Sequence, residues 1–299
     1  MLHILTHNIL PVFAVLALGF LMGRTGKTTE GEARAANRLA FMVFQPALIF
    51  PLIANLDFAA FDLLALAIYA TAEVLAFGMG YFVARKIFGR EHLESFLLGM
   101  AVIFINSLLY IWPISFLIYG EAAALPITAL VAWDASVVFA FFIISMELMA
   151  GNKATGNAVK RVTINPVLIS IVLGVIVNLT GIPVPKPLEI AFDFAGPAAA
   201  PLTLLALGII LSVSKLVPTP PVIGIASLKL LIFPALVWCD LAFVSPGNAW
   251  ADLFVLNAAG PSGMMAFALA MLYGVRNDVI APVIIWTSIL SVFSLALLA

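Results

Sequence analysis

The chain contains 299 residues, of which 64% are hydrophobic and 10% are charged, and its formal net charge at pH 7 is -1. Soluble globular domains carry roughly 25% charged residues, so the composition excludes a soluble globule and predicts a polytopic membrane protein. The single cysteine, Cys239, excludes an internal disulfide and any CxxC metal or redox site.

Ten apolar segments follow one another along the chain. A hydrocarbon core of about 30 Å requires about 20 apolar helical residues, and all ten segments approach or exceed that length. We therefore predict an all-α fold with ten transmembrane segments, numbered 1 to 10, at residues 4–23, 35–54, 61–84, 95–119, 124–149, 164–181, 195–214, 221–243, 250–274 and 278–298. Segment 1 is followed by Arg24 and Lys27 and preceded by no basic residue, which favours a retained helix over a signal peptide.

The two halves of the chain share short motifs at one constant offset. Three dipeptides recur 155 residues later in the same order: Pro11-Val12, Leu18-Gly19 and Thr25-Gly26 return as Pro166-Val167, Leu173-Gly174 and Thr180-Gly181. Each half holds five segments, an odd number, so its two copies would enter the bilayer from opposite sides, as the inverted repeats of secondary transporters do. We predict a first five-helix repeat at residues 1–150, a linker at 151–163 and a second, inverted repeat at 164–299.

Lysine and arginine are distributed unevenly between the loops. Twelve of the 14 flank odd-numbered loops, whereas the even-numbered loops carry only Lys186. Basic residues mark the cytoplasmic side of a membrane protein. The linker at 151–163 is therefore expected in the cytoplasm and both termini on the opposite, periplasmic side.

Segments 4 and 9 each contain a proline downstream of an asparagine, namely Pro113 after Asn106 and Pro261 after Asn257. Proline lacks an amide donor and clashes with the preceding turn, so each segment is predicted to break near its proline. The N-terminus of a half-helix presents free amides and a partial positive charge, which favour an anion as guest. Gln45 and Ser262, beside prolines, are further site candidates. The alternative is that the prolines merely kink two continuous helices.

Three ionisable residues fall inside predicted segments, where a charge is costly and is retained mainly for function. Asp134 lies near the middle of segment 5, Glu73 midway along segment 3, and Lys229 about eight residues into segment 8. We assign all three to ion coupling, and Asp134 to the substrate site as well. The alternatives are structural hydrogen bonds for the two acids, and for Lys229 either snorkelling to the cytoplasmic face or a pair with a neighbouring helix.

Catalytic motifs are absent from the sequence. Gly260-Pro261-Ser262-Gly263 matches the Gly-x-Ser-Gly of rhomboid proteases, but no histidine follows His92 to serve as a base. Neither a His-Glu-x-x-His zinc motif nor a phosphate-binding Gly-x-x-x-x-Gly-Lys loop is present. We predict that the protein is not an enzyme and needs no cofactor or metal beyond a coupling proton or sodium ion.

Several motifs resemble one known family. They are Asn37-Arg38-Leu39, Gln45-Pro46-Ala47-Leu48-Ile49-Phe50, the run from Asn106 to Pro113, Asn165-Pro166-Val167, and Ala258-Ala259-Gly260-Pro261-Ser262-Gly263. Together they are similar to the auxin efflux carrier family, which includes plant PIN carriers and bacterial malonate-transporter-like proteins. One departure is Ile111, which stands where the family usually has glycine.

The resemblance implies that segments 4 and 9 cross, that a scaffold domain lies beside a transport domain, and that an elevator-type movement carries organic anions. It also implies a bacterial inner-membrane protein, for which we expect a homodimer. The substrate-binding residues expected in this arrangement are Gln45, Ile49, Asn106, Ser107, Pro113, Asp134, Asn257, Pro261 and Ser262.

The sequence thus predicts a secondary active transporter of small organic anions, with malonate the first candidate. Its expected partners are that substrate and the lipid bilayer, and not nucleic acid. Two alternatives remain at this point. One is a sodium-coupled organic-anion symporter of the bile-acid type, and the other is a membrane receptor that binds an organic acid without transporting it.

Overall fold

The computed structural model describes residues 10–150, 163–213 and 218–298, and within these ranges the regular structure is helical. The first half contains α1 (Leu10–Arg24), α2 (Glu30–Leu39), α3 (Gln45–Ala54), α4 (Leu63–Phe82), α5 (His92–Ile103), α6 (Trp112–Tyr119), α7 (Ala124–Trp133) and α8 (Phe139–Ala150). The second half contains α9 (Pro166–Thr180), α10 (Lys186–Ala195), α11 (Ala199–Val213), α12 (Pro220–Ser227), α13 (Phe233–Val244), α14 (Ala251–Ala258), α15 (Met265–Tyr273) and α16 (Ile280–Leu298). Residues 151–162, most of the predicted linker, lie outside the described ranges.

Five continuous helical stretches in the described residues are long and apolar enough to cross a membrane. They are Glu30–Ala54, Leu63–Ile87, Gly120–Met149, Lys186–Val213 and Pro220–Val244. Shorter apolar helices accompany them at Ala14–Arg24, His92–Ile103, Pro166–Thr180 and Ile280–Ser291. This pattern is that of a multi-pass membrane protein.

Wide π-helical turns precede three of the prolines. The π-helical segments Ala40–Phe44, Ser107–Ile111 and Leu228–Ile232 are each followed two residues later by a proline, at Pro46, Pro113 and Pro234. After each segment, the N–H of the residue before the proline donates a hydrogen bond to the carbonyl five residues earlier. Trp112 N–H, for example, donates to the Ser107 carbonyl. A widened turn relieves the clash between a proline ring and the preceding turn, so the helix continues through the proline.

The first predicted segment of each half packs against the second predicted segment of the other half. α1 lies along α11, where a Cβ added to Gly19 would collide with the Leu205 backbone. α9 lies along α3, where a Cβ on Gly174 would meet the Phe50 carbonyl and Ile53. Small residues permit such close helix contact in membranes. The two glycines of the repeated Leu-Gly motif therefore have the same structural role in both halves, which is to allow close packing of two helices.

Helices α4 to α8 and α12 to α16 form a second packed group. α4 contacts α5 and α13, and α13 contacts α14. Aromatic rings fill the space between them, with Phe77 edge-on to Phe96 and Phe142 at centroid distances of 5.3 and 5.5 Å. The N-terminus of α4 is capped by Asp62, which accepts from Ala65 N–H at 2.9 Å and from Asn248 Nδ2 at 2.8 Å. These bonds hold the pKa of Asp62 below its ordinary value.

Candidate functional site

Two interrupted helices cross at the centre of this second group. α5 ends at Ile103 and α14 ends at Ala258, and a short non-helical segment follows each. Ile105 and Ser262 form an antiparallel bridge there. Asn106 N–H donates to the Pro261 carbonyl at 3.1 Å, and Gly263 N–H donates to the Phe104 carbonyl at 2.7 Å. Each break thus satisfies main-chain groups of the other, which membrane depth requires of non-helical backbone.

The break in segment 4 lies upstream of its proline, so the prediction that this segment breaks near Pro113 is wrong. The extended residues are Phe104 to Asn106, whereas Pro113 lies in the first turn of α6 after a π-helical turn. Proline is compatible with that position because the widened turn before it relieves the clash of the proline ring with the preceding turn. The bridged residues Ile105 and Ser262 stand 157 apart, close to the 155-residue offset of the repeated motifs.

Ser262 is fully engaged in holding the crossing. Its hydroxyl donates to the Ala101 carbonyl at 2.6 Å, and its N–H donates to Thr287 Oγ1 at 3.1 Å. Ile111, the departure from the family pattern, packs where a Cβ on Gly260 would otherwise sit. The absence of a side chain at position 260 therefore accommodates the bulk at position 111.

A cavity of about 100 Å³ opens beside the crossing. It is lined by Gln45, Leu48, Ile49, Leu52, Phe104, Ile105, Asn106, Ser107, Val131, Asp134, Ala135, Phe139, Gly263, Met264 and Met265. Four of these side chains are polar and the others are apolar. Lysine and arginine do not occur in this lining.

Two half-helices begin at residues that line the cavity. Ser107 begins the helical stretch that continues into α6, and Met264 precedes α15. The first N–H groups of a helix have no partner within it and carry partial positive charge. The hydroxyl of Ser107, which is 4% exposed, also has no partner in the structure. These groups together suit the oxygens of a carboxylate.

Asp134 connects the cavity to a second buried acid. It begins the π-helical segment Asp134–Val138 between α7 and α8, and its carboxyl group interacts with that of Glu73 on α4. The side chains are 4% and 3% exposed. Glu73 Oε2 accepts from Trp133 Nε1 at 2.7 Å, whereas neither Asp134 oxygen has a donor. Two carboxylates so close cannot both be ionised without a large cost.

Lys229 faces the two acids from the π-helical turn before α13. Its Nζ donates to the Ala258 carbonyl at 2.8 Å and lies 4.8 Å from the centre of the Phe233 ring. The side chain is fully buried, so the alternative of snorkelling is wrong. Ala258 ends α14, where unpaired carbonyls carry partial negative charge, and a cation stabilises such a terminus.

Asn257 belongs to this same buried cluster and not to the cavity lining. Its Nδ2 donates to the Tyr69 hydroxyl at 3.1 Å, and both residues are fully buried. Tyr69 lies one helical turn before Glu73, and that spacing is the sequence signal that could have pointed to it. The sequence signal for Trp133 was weaker: it is the residue directly before Asp134.

The structure divides the expected site residues into two groups. Those that line the cavity are Gln45, Ile49, Asn106, Ser107 and Asp134. Those that lie behind its lining are Glu73, Lys229, Asn257, Pro261 and Ser262. Pro113 falls in the first turn of α6. Sequence reasoning missed Phe104, Met264 and Met265, because apolar wall residues look like any other residues of a membrane helix.

Helices that cross a bilayer, break and enclose a cavity define a polytopic membrane transporter. Comparison with family models agrees: the model described as "Membrane transport protein" matches residues 4–157 and 152–299, so the chain belongs to that family. The resemblance to auxin efflux carriers is thereby confirmed.

Individual relatives span nearly the whole chain. A protein of Rhizobium meliloti named "Putative malonate transporter" is 28% identical, with 96% of this chain and 92% of that protein covered. An "Uncharacterized transporter" of Methanothermobacter thermautotrophicus is also 28% identical, with 98% and 96% covered. "Uncharacterized transporter YfdV" of Escherichia coli K12 is 24% identical, with 92% and 90% covered.

Proposed function

We propose that this protein is a secondary active transporter of small organic anions. The observation that carries the proposal is the cavity beside the Ile105–Ser262 crossing, whose lining includes the residues at which two half-helices begin. Such termini bind anions in many proteins, and midplane sites between broken helices are typical of secondary transporters. The name of the Rhizobium relative makes malonate the first substrate to test.

The proposed architecture has ten transmembrane segments in two inverted repeats. α1, α2, α3, α9, α10 and α11 would form a scaffold, and the other helices would form a transport body that moves past it as an elevator. The crossed packing of α1 on α11 and of α9 on α3 supports this division. Among the described residues, polar contacts between the two parts near the cavity are few: Asn37 Nδ2 donates to the Ala268 carbonyl at 3.2 Å, and Gln45 Nε2 lies 3.3 Å from Met265 Sδ. So sparse an interface suits sliding.

Coupling would reside in the cluster of Glu73, Asp134 and Lys229. With all three ionised the cluster carries one net negative charge, which a single proton shared by the two acids would cancel. An anion beside Asp134 favours uptake of that proton, because like charges repel strongly in a buried site. Substrate and proton would therefore bind together, and the protein would act as a proton symporter.

Reconstituted vesicles test the proposal. Purified protein in liposomes should take up labelled malonate when a proton gradient is applied, and Asn106→Ala should lower the initial rate at least tenfold. Asn55→Ala, an exposed asparagine outside the cavity lining, is the matched control and should leave the rate unchanged. Dependence on sodium in place of protons would contradict the coupling mechanism. Absence of flux for every acid tested, despite binding, would indicate a receptor.

A further inference from the structure

We propose that the acid occupies the cavity as a singly charged ion, with one carboxylate at the half-helix N-termini and a hydrogen-bond donor facing Asp134. The inference rests on the proposed function and specifies its substrate class. It concerns the guest's own protonation state, which the coupling mechanism leaves open.

The cavity offers partners for one negative charge only. Its lining holds no lysine or arginine, and Lys229, the nearest buried cation, already donates to the Ala258 carbonyl behind that lining. The donors that reach the cavity are the helix-start amides, the Ser107 hydroxyl and the amides of Asn106 and Gln45. A second carboxylate would lie among apolar side chains, and an unpaired charge buried in this way is strongly disfavoured.

Asp134 adds a second requirement, namely that the guest carries a hydrogen-bond donor. It lines the cavity, is 4% exposed, and neither of its oxygens accepts a hydrogen bond. The charged and titratable groups around it are Glu73 and Tyr69 from α4 and Lys229 from the turn before α13. Neither Asp134 oxygen has a hydrogen-bond partner in the structure, and a proton shared with Glu73 would engage only one of the two. A guest that brings a donor would satisfy an Asp134 oxygen, and a bond to a carboxylate is stronger than one between neutral groups.

The class of substrate follows from these two requirements. The guest has one carboxylate and, a few atoms away, an acid, hydroxyl or amide that donates, with little polar surface between them. A short dicarboxylic acid meets this description only when half protonated. For malonate the bound species would be the hydrogen malonate ion, whose central methylene suits the apolar wall.

Three ligands of similar size distinguish the requirement for a single negative charge from the requirement for a hydrogen-bond donor. Between mildly acidic and mildly basic pH, malonate carries a donor only when half protonated. Malonamate is a monoanion with an amide donor over the same range, and monomethyl malonate is a monoanion without a donor. Binding to the full-length protein in detergent would be measured by calorimetry from mildly acidic to mildly basic pH. Malonamate controls for titration of the protein, because its own charge stays constant over this range.

We expect malonate affinity to fall about tenfold per pH unit above its second ionisation, since the half-protonated fraction falls at that rate. Malonamate affinity should change with pH only through proton uptake by the protein, and so less steeply than malonate affinity, and monomethyl malonate should bind at least tenfold more weakly than malonamate. Asp134→Asn should reduce that difference, because an amide can pair with either ligand. Equal pH dependence for malonate and malonamate would overturn this inference but not the proposed function. Failure of all three ligands to bind would overturn both the inference and the proposed function.

Discussion

The indole nitrogen of Trp133 lies 2.7 Å from Glu73 Oε2 and donates a hydrogen bond to it. Trp133 immediately precedes Asp134, so one turn of chain both orients Glu73 and carries the acid that lines the cavity. With Oε2 occupied, the other Glu73 oxygen has no donor and is free to share a proton with Asp134. The geometry of the acid pair thus depends on a residue that is not itself ionisable.

Replacing Trp133 should therefore change ion coupling more than folding. Trp133→Phe keeps an aromatic ring but leaves Glu73 Oε2 without its donor, a loss of about 1–3 kcal/mol in interaction energy. We expect the pH at which malonate uptake is half maximal to shift by about one unit or more. Trp238→Phe, at a site 60% exposed, should leave the profile unchanged. If the pH dependence of uptake is unaltered in both variants, Trp133 does not contribute to coupling.

Removing the positive charge of Lys229 should destabilise the protein. Lys229→Met leaves the Ala258 carbonyl and the acid pair without a buried cation, and breaking such a pair costs about 3–5 kcal/mol. The Tm in detergent should fall accordingly. Adding Asp134→Asn to Lys229→Met should restore part of the loss, because the charge left uncompensated is removed. A double variant less stable than the single one would argue against electrostatic compensation.

The contact between α1 and α11 should tolerate no added methyl group at Gly19. A Cβ there would collide with the Leu205 backbone, and overpacking of this kind costs about 1–3 kcal/mol. Gly78→Ala is the matched control, since a Cβ at Gly78, also in a helix, meets no atom within 4 Å. Thermal unfolding of Gly19→Ala and Gly78→Ala should show a lower Tm for the first variant only. Equal Tm values would mean that the two helices pack less closely than described.

Acidification should weaken the cap on α4. The pKa of Asp62 is lowered in the folded protein, so its contribution to stability is present above the unfolded-state pKa, about 4, and is lost as pH falls through the folded-state value. Asp62 is only partly buried, so the contribution is below about 1 kcal/mol. Asp62→Asn keeps a capping side chain but cannot titrate. The Tm difference between this variant and the natural protein should therefore shrink between pH 7 and pH 3; a constant difference would contradict the prediction.

The sequence predicted the helices well and the site in part. Each predicted apolar segment overlaps helix in the described residues, because affinity for lipid is a property of local composition. The crossing was expected, but its place in segment 4 was not. Pro113 looks like a helix breaker until the π-helical turn before it is seen. That turn arises from tertiary packing, which local propensity does not encode.

The directions in which buried side chains point were a second feature that the sequence did not predict. Asn257 and Asn106 occupy similar settings in the sequence, yet one faces Tyr69 and the other lines the cavity. Lys229 has a stem long enough to reach the membrane surface from its position, and only the carbonyl at the end of α14 shows why it stays inside. Which partner a buried polar group finds depends on helices distant in sequence.

The bridge between Ile105 and Ser262 is made by main-chain atoms alone. Peptide groups are the same in every residue, so the crossing can persist while the side chains around it are exchanged. Relatives as little as 24% identical could keep one common crossing and still differ in their substrates. Selectivity would then be open to change by one or two substitutions in the cavity wall, without rebuilding the scaffold that holds it.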